Sequence, residues 1–172
     1  MEASLERTLV LVKPDGVERG LVGEIIGRFE RKGLKLVGMR LVDVAVELAE
    51  RHYAVHADKP FYGELVDFIT SGPVASLALE GPDAIAVVRS LIGSTRPATA
   101  DPGTVRGDLG LTTLRNLVHA SDGPETATAE LDLWFGGVPL IDYGRANDRS
   151  SGSSTGTGSR RADAAESPSS SG

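Results

Sequence analysis

Short apolar runs alternate with helically spaced apolar residues along most of the chain. Residues 8–12 (TLVLV), 34–44 and 74–79 are rich in branched apolar side chains and predict three β-strands. A short fourth strand is predicted to begin at Leu117. Because residues 8–12 show almost no polar alternation, the first strand is expected to be buried.

Between these strands, apolar residues recur at the three- and four-residue spacing of helices. The first predicted helix covers residues 20–32 and ends before Gly33, because glycine suits a helix C-terminus. Asp83 is expected to cap a helix that runs through Ile92. Further helices are predicted over residues 46–55, 61–69 and 124–133, the last with Pro124 in its first turn.

The order of these elements predicts an α+β fold with a ferredoxin-like βαββαβ core. In such a core, a four-stranded antiparallel sheet has its helices packed on one face. Residues 14–16 (PDG) predict a turn after the first strand. Residues 94–110 are rich in Gly, Pro and Thr and predict an additional long loop, which is either disordered or functional.

The chain changes character at Gly144. Segments such as SSGSSTGTGS contain no aromatic and almost no branched apolar residues, so they cannot bury enough surface to offset the entropy of ordering. The sequence therefore predicts a folded domain over residues 1–143 and a disordered Ser/Gly-rich tail over residues 144–172.

Composition narrows the class of protein. The net charge of -6 over 172 residues argues against a protein whose primary ligand is nucleic acid. The absence of cysteine excludes disulfides and cysteine nucleophiles. No apolar run is long enough to cross a bilayer, and the first seven residues do not form a secretory signal. A soluble cytoplasmic protein with no membrane partner is therefore expected.

The chain has three histidines, and they differ in their surroundings. His52 and His56 lie four residues apart in a predicted helix, a spacing that could hold a metal ion. A third ligand would have to come from a distant segment, so two partly exposed helix residues are expected instead.

His119 lies between the fourth strand and the start of the last helix. A neutral imidazole there is a good nucleophile towards phosphorus, provided that a partner fixes its other nitrogen. Ser121, Asp122 and Glu130 are candidate partners by their spacing. From spacing alone, a structural histidine remains the alternative.

Several basic residues lie beside turn and loop residues. Lys13 directly follows the first strand, Arg106 lies in the glycine-rich segment GTVRGD, and Arg89 lies just before Thr95. Lysine and arginine held near glycine suit a phosphate chain, lysine as a point charge and arginine as a fork. Neither GxxxxGK[ST] nor GxGxxG is present, so neither common nucleotide-binding motif applies.

Several segments together resemble one family, the nucleoside diphosphate kinases. These segments are RTLVLVKPDGV (7–17), RGLVGEI (19–25), HY (52–53), KPFY (59–62), TSGPV (70–74), GTVRGD (103–108), NLVHASD (116–122) and ELDLWF (130–135). The resemblance extends from residue 7 to residue 135 in the family's order, with GTVRGD at the family's active-site loop.

The resemblance implies roles for individual residues. His119 would accept the phosphate, and Glu130, assisted by Ser121, would orient its ring. Lys13, held by Tyr53, would contact the transferred phosphate and the sugar 3′-hydroxyl. The nucleotide-binding residues would be Arg89, Thr95 and Arg106 at the phosphates, Asn116 at the ribose and Phe61 at the base.

The resemblance also implies the reaction and its partners. The γ-phosphate of ATP or another triphosphate would pass to a nucleoside diphosphate by a ping-pong mechanism, which maintains the cell's NTP and dNTP pools. Mg²⁺ would arrive with the nucleotide phosphates and not on protein ligands. The family also implies a homo-oligomer of four or six subunits.

Two other functions are compatible with this fold. A regulatory protein that binds nucleotide without turnover would have lost Lys13, Arg106, His119 or Glu130, and all four are present. A nucleic-acid-binding protein would show a basic stripe, which is missing. Thr113, Leu114 and Ala120 depart from the residues common in the family, so the nucleotide preference stays open.

Overall fold

The computed structural model describes residues 4–149, and their contacts divide the chain into two units. The first unit extends from Met1 to Ile141 and contains all strands and α-helices of the described residues. The second unit starts at Asp142 and contains a short 3-10 helix, Ala146–Arg149. The predicted disordered tail lies largely outside the described residues.

A four-stranded antiparallel sheet forms the centre of the first unit. Its strands are β1 (Leu5–Val12), β2 (Lys35–Val42), β3 (Val74–Pro82) and β4 (Val118–Ala120). They lie in the order β2-β3-β1-β4, and β1 pairs with both β3 and β4. This arrangement confirms the predicted ferredoxin-like sheet.

Seven α-helices connect the strands in the described part of the chain. They are α1 (Pro14–Glu18), α2 (Val22–Lys32), α3 (Val46–His52), α4 (Tyr62–Ile69), α5 (Ala84–Ile92), α6 (Val105–Leu109) and α7 (Pro124–Phe135). None of these helices is long and apolar enough to span a membrane.

Helices cover both faces of the sheet, so the prediction of one covered face was wrong. Val10 and Val12 of β1 belong to a core that includes Phe29 of α2 and Val88 of α5. Leu9 and Leu11 belong to a second core, with residues of α3, α4 and α7. A strand that is buried on both faces needs no polar positions, which explains the uninterrupted apolar run in β1.

Three local predictions were wrong. Residues 14–16 begin the helix α1 instead of a turn, with proline at its first position. The predicted loop 94–110 contains a 3-10 turn and α6, because the Thr104 hydroxyl accepts a hydrogen bond from the Gly107 amide and caps α6. Asp83 makes no side-chain cap on α5, and the Glu6 carboxylate accepts from the Ile85 amide instead.

Replacing either of two glycines by alanine is expected to change stability in opposite directions. A methyl group at Gly38 of β2 would lie 2.8 Å from Leu140 and 2.9 Å from Phe135, whereas one at Gly23 of α2 would meet nothing within 4 Å. We expect Gly38→Ala to lower the free energy of unfolding by about 1–3 kcal/mol. Gly23→Ala should raise it by about 0.5 kcal/mol, because alanine loses less entropy in a helix.

Chemical denaturation of the two variants beside the unchanged protein measures both effects. A Gly38→Ala variant that is as stable as Gly23→Ala would contradict the close packing of β2 against the end of α7 and the segment that follows it.

Candidate active site

The end of β1 and the start of β4 are tied together at Leu117. This residue has a φ of 73°, in the left-handed region that non-glycine residues rarely adopt. Its amide donates to Asp15 Oδ2 at 3.0 Å, and its carbonyl accepts from the Lys13 amide at 2.8 Å. The strained residue is thus held on both sides, which places Lys13 and His119 close together.

His119 is fixed by a carboxylate from the last helix. In β4 it lies opposite Leu11 of β1, and its Nε2 lies 2.5 Å from Oε2 of Glu130 in α7. Since a carboxylate accepts hydrogen bonds, Nε2 holds the ring proton, and the Nδ1 lone pair is left for chemistry. The predicted pairing of His119 with Glu130 is therefore present in the structure.

Lys13 presents a buried ammonium group next to this imidazole. Its Nζ donates to Asn116 Oδ1 at 2.9 Å. The pKa of Lys13 is lowered to about 8, mainly by burial and also by the charge of Arg106, while Asp15 acts in the opposite direction. Lys13 is therefore a cation that titrates unusually close to neutral pH.

Arg106 is bonded through its whole guanidinium to backbone carbonyl groups. Nε donates to the Asn116 carbonyl at 3.2 Å, Nη1 to that of Gly93 at 3.1 Å, and Nη2 to that of Val118 at 2.7 Å. Burial lowers the pKa of Arg106 to about 10, and the nearby charge of Arg89 contributes. The charge of Arg106 stays unneutralised, because carbonyl oxygens bear no net charge.

The remaining predicted phosphate contacts lie at the edge of this group. Arg89 of α5 is exposed, and its Nη1 donates to the Ala120 carbonyl at 3.4 Å. Thr95 is also exposed, and its carbonyl accepts from Asn116 Nδ2 at 3.1 Å. The structure therefore places Arg89 against β4 and Thr95 against Asn116.

A series of rings connects His119 to the predicted base-binding residue. The ring of His52 lies 4.5 Å from that of His119 and 4.7 Å from that of Tyr53. His56 follows at 6.5 Å from Tyr53, and Phe61 lies 5.6 Å from His56. Phe61 is 44% exposed at the start of α4, so one face of its ring is accessible to a ligand.

Two predicted contacts are absent. The Tyr53 hydroxyl has no hydrogen-bond partner among the described residues, and Lys13 bonds Asn116 instead. Burial raises the pKa of Tyr53 to about 12, and the charge of Glu130 adds to the effect. The Ser121 hydroxyl is likewise buried without a partner in the described part of the chain, so it makes no hydrogen bond to Glu130 here.

His52 is a residue of this site that the sequence-based interpretation missed. Its side chain is 1% exposed, and Nδ1 accepts from Trp134 Nε1 at 3.2 Å. Two partly exposed helix residues were expected, but the His52 side chain is buried at the end of α3, and His56 belongs to a separate 3-10 turn. The one sequence signal for this contact is the i, i+4 spacing of Glu130 and Trp134, which puts both side chains that meet His52 on one face of α7.

Two histidines and a carboxylate of this site lie close enough together to be considered as metal ligands. In the described residues, His52, His119 and Glu130 place potential metal-ligand atoms within 4.8 Å of one another. His56, considered above as a metal partner of His52, is not part of this group. Each of the three residues already uses a ligand atom in a hydrogen bond, His52 to Trp134 and His119 to Glu130.

The arrangement can attack and hold an anion. An imidazole with one nitrogen fixed by a carboxylate lies next to a buried ammonium and near two guanidinium groups. In the described residues, none of these three cations donates a hydrogen bond to a carboxylate, so their charge is available to a phosphate chain.

Comparison with known proteins agrees with this geometry. The family model for nucleoside diphosphate kinase matches residues 6–139. A nucleoside diphosphate kinase from Archaeoglobus fulgidus is 56% identical over 144 residues, which is 84% of this chain and 95% of the relative. One from Picosynechococcus is 57% identical over 139 residues, covering 81% of this chain and 93% of the relative.

Solved structures are similar over the same region. A nucleoside diphosphate kinase from Halobacterium salinarum, solved in complex with CDP, superimposes with a TM-score of 0.82 and 48% identity. The match covers 85% of this chain and 97% of that one. A family protein from Babesia bovis gives a TM-score of 0.81 with 46% identity, covering 84% and 97%. From the fold, the His119–Glu130 pair and these matches, the chain belongs to the nucleoside diphosphate kinase family.

Proposed function

We propose that Nδ1 of His119 is the atom through which this nucleoside diphosphate kinase transfers phosphate. Nδ1 attacks the γ-phosphorus of a triphosphate such as ATP, and the bond from phosphorus to the β-γ bridging oxygen breaks. The electron pair of that bond leaves with the diphosphate. A second diphosphate then attacks the phosphohistidine, and the imidazole is restored.

The observation that supports this proposal best is the pairing of His119 Nε2 with Glu130 Oε2 at 2.5 Å. It assigns the ring proton to Nε2 and keeps the nucleophilic lone pair on Nδ1. When Nδ1 bonds to phosphorus the ring becomes positively charged, and the carboxylate of Glu130 stabilises that charge.

Lys13, Arg89 and Arg106 are proposed to bind the phosphate chain, with the exposed Thr95 at its edge. Phosphoryl transfer depends mainly on positioning and on neutralising charge that develops on the phosphate oxygens. Lys13 directly follows β1, whose Val12 pairs with Val118 beside His119, while the two guanidiniums donate to carbonyls of β4. Lys13 is therefore proposed to contact the transferred group itself.

Asn116 and Phe61 are proposed to bind the nucleoside. The Asn116 amide already connects Lys13 to the Thr95 carbonyl, so it is placed to bond the ribose hydroxyls beside the phosphates. Phe61 offers an exposed ring face, and stacking on a ring accepts every base. The relative from Halobacterium salinarum was solved with CDP, and a nucleoside diphosphate is the class of ligand proposed here.

Enzymes of this family use a divalent metal with the nucleotide, and Mg²⁺ is our proposal for this chain. The side chains fit a metal that arrives on the phosphates, because the buried carboxylates are engaged: Glu130 with His119 and Asp15 with Leu117. When bound, Mg²⁺ would neutralise part of the phosphate charge, alongside Lys13 and the arginines.

A homo-oligomer of four or six subunits is proposed as the working form, with β2 as one contact surface. In the described sheet, β2 is an edge strand, and Ile141 donates to its Val37 carbonyl. Further along the strand, Met39 and Leu41 are 60% and 71% exposed, which is unusual for large apolar side chains on an edge.

The remaining proposals concern location and chain organisation. We propose a cytoplasmic enzyme, since its nucleotide substrates are made and used there, with no nucleic acid as its primary ligand. Residues 1–143 are proposed as the kinase domain, which agrees with a family match that ends at residue 139. Residues 144–172 are proposed as an appendage that takes no part in catalysis.

The first test is formation of the phosphoenzyme. With γ-labelled ATP and Mg²⁺, acid-labile label should appear on His119 and move to added GDP. His119→Ala should take up no label. Glu130→Gln should lower the rate of labelling about 10- to 100-fold, because the amide orients the ring poorly. Glu125→Gln, an exposed change in the same helix, should stay within about twofold.

Persistent label in His119→Ala would refute the assignment of the nucleophile. Nucleotide binding without any label in the unchanged protein would instead favour the regulatory, binding-only alternative.

A second test follows from the pKa of Lys13, which burial lowers to about 8. The ammonium is charged below that pH and loses its proton as the pH rises. We therefore expect kcat/KM to decline above about pH 8, by up to about tenfold per pH unit. In Lys13→Arg the residual activity should show this decline only at higher pH. A profile with the same alkaline decline in both proteins would assign it to another group.

A third test concerns β2. Leu41→Lys should shift the protein towards smaller assemblies, because the apolar side chain would become a charge in a buried contact. Size-exclusion chromatography with light scattering measures the mass. Leu5→Lys changes a side chain of similar exposure at the start of β1 and is the matched control. Equal masses for both variants and the unchanged protein would remove β2 from the proposed interface.

A further inference from the structure

The contact between Trp134 and His52 is not explained by any step of the transfer reaction. Trp134 lies one turn after Glu130 in α7, and both residues are buried. The only polar atom of the Trp134 side chain, Nε1, meets His52 Nδ1 at 3.2 Å. The same Nδ1 lies 3.4 Å from Glu130 Oε2, the oxygen that holds His119.

This contact decides which nitrogen of His52 has the proton. The indole N–H of Trp134 can only donate, so Nδ1 of His52 must accept and has no hydrogen. His52 is neutral, because burial lowers its pKa to about 2, with smaller contributions from His119, Lys13 and His56. The proton of the neutral ring is therefore on Nε2, which has no hydrogen-bond partner in the described residues.

The other tautomer would interfere with His119. With its proton on Nδ1, His52 would become a donor 3.4 Å from the Glu130 oxygen and would form a charge-assisted hydrogen bond to it. Oε2 would then be shared between two imidazoles. The hold on His119 would weaken, and its proton would no longer be confined to Nε2.

We propose that Trp134 is a positioning residue that acts through His52. By donating to Nδ1, the indole keeps His52 in the tautomer that cannot bond Glu130, and thereby reserves Oε2 for His119. The inference rests on the proposed role of His119 as phosphate acceptor. It adds a function for two residues to which the proposed transfer reaction gives no role.

The burial of His52 explains why the single hydrogen bond from Trp134 is sufficient to set its tautomer. The His52 side chain is 1% exposed and is surrounded edge-on by the rings of Tyr53, His119 and Trp134. Bulk water therefore cannot replace the indole as a donor to Nδ1. With the proton on Nδ1, that N–H would face the indole N–H at 3.2 Å, and the indole would lose its acceptor. The bond gained to Glu130 would be long, at 3.4 Å, so the indole contact favours the proton on Nε2.

The direct test is the tautomer of His52 in Trp134→Phe. Phenylalanine retains most of the ring volume and removes only the donor. In ¹⁵N NMR spectra of the ligand-free protein, His52 should have its proton on Nε2 in the unchanged chain and shift towards Nδ1 in the variant. The rate of His119 labelling by γ-labelled ATP should fall about tenfold, as for other residues that orient a reacting group indirectly.

The deciding experiment is the double variant Trp134→Phe/His52→Phe. If His52 competes for Glu130 once the indole is removed, then removing His52 as well should relieve the competition. The double variant should therefore label His119 faster than Trp134→Phe alone, by about threefold or more. Two merely structural losses would add and give a slower double variant.

A stability control separates this effect from general loosening of the core. Phe29→Leu removes buried volume in the opposite core, and its labelling rate should be unchanged although its melting temperature falls. The inference is overturned if His52 keeps its Nε2 proton in Trp134→Phe, or if the double variant is no faster than the single one. Absence of label on His119 in the unchanged protein would instead refute the proposed acceptor, since the NMR result does not depend on it.

Discussion

The active site depends on one hydrogen bond from the main chain to a side chain, from the Leu117 amide to the Asp15 carboxylate. It holds a non-glycine residue in the left-handed region and ties α1 to the start of β4. Lys13 lies two residues before Asp15. Asn116 directly precedes Leu117, and His119 follows it by two residues. The Lys13 ammonium, the Asn116 amide and the His119 imidazole therefore take their relative positions from the same few atoms. Burial and pairing offset the strain at Leu117.

The cations of the site are held by uncharged acceptors. The chain is acidic overall, with a net charge of -6, yet Lys13, Arg89 and Arg106 point their hydrogen bonds at amide and carbonyl oxygens. A cation that is held by neutral acceptors keeps its charge for a ligand, whereas a cation paired with a carboxylate does not. The lowered pKa values of Lys13 and Arg106 reflect the cost of burying each positive charge near another one. A phosphate chain would offset that cost.

The sequence was sufficient for the sheet, most helices and the main chemical groups. Periodicity located the strands, and the family's motifs brought Lys13, Arg106, His119 and Glu130 together. The sequence was insufficient where contacts between distant segments determine the local structure. The Thr104 hydroxyl caps α6 in a segment predicted as a loop, and Glu6 bonds the first turn of α5 where Asp83 was expected. Both hydrogen bonds need a partner that residue spacing does not reveal. His52 was missed because a lone histidine gives no indication of burial until α3 and α7 are packed together.

The anchoring of Arg106 has a consequence for how the enzyme tolerates sequence change. All three of its partners are carbonyl groups of the main chain, at Gly93, Asn116 and Val118. Every amino acid supplies the same carbonyl, so no single replacement at those three positions deletes the acceptor itself. The position of the Arg106 guanidinium thus depends on the backbone path and not on the Val118 side chain. At Gly93 that path itself needs glycine, because φ is 83° and a Cβ would lie 2.5 Å from Thr104 Oγ1.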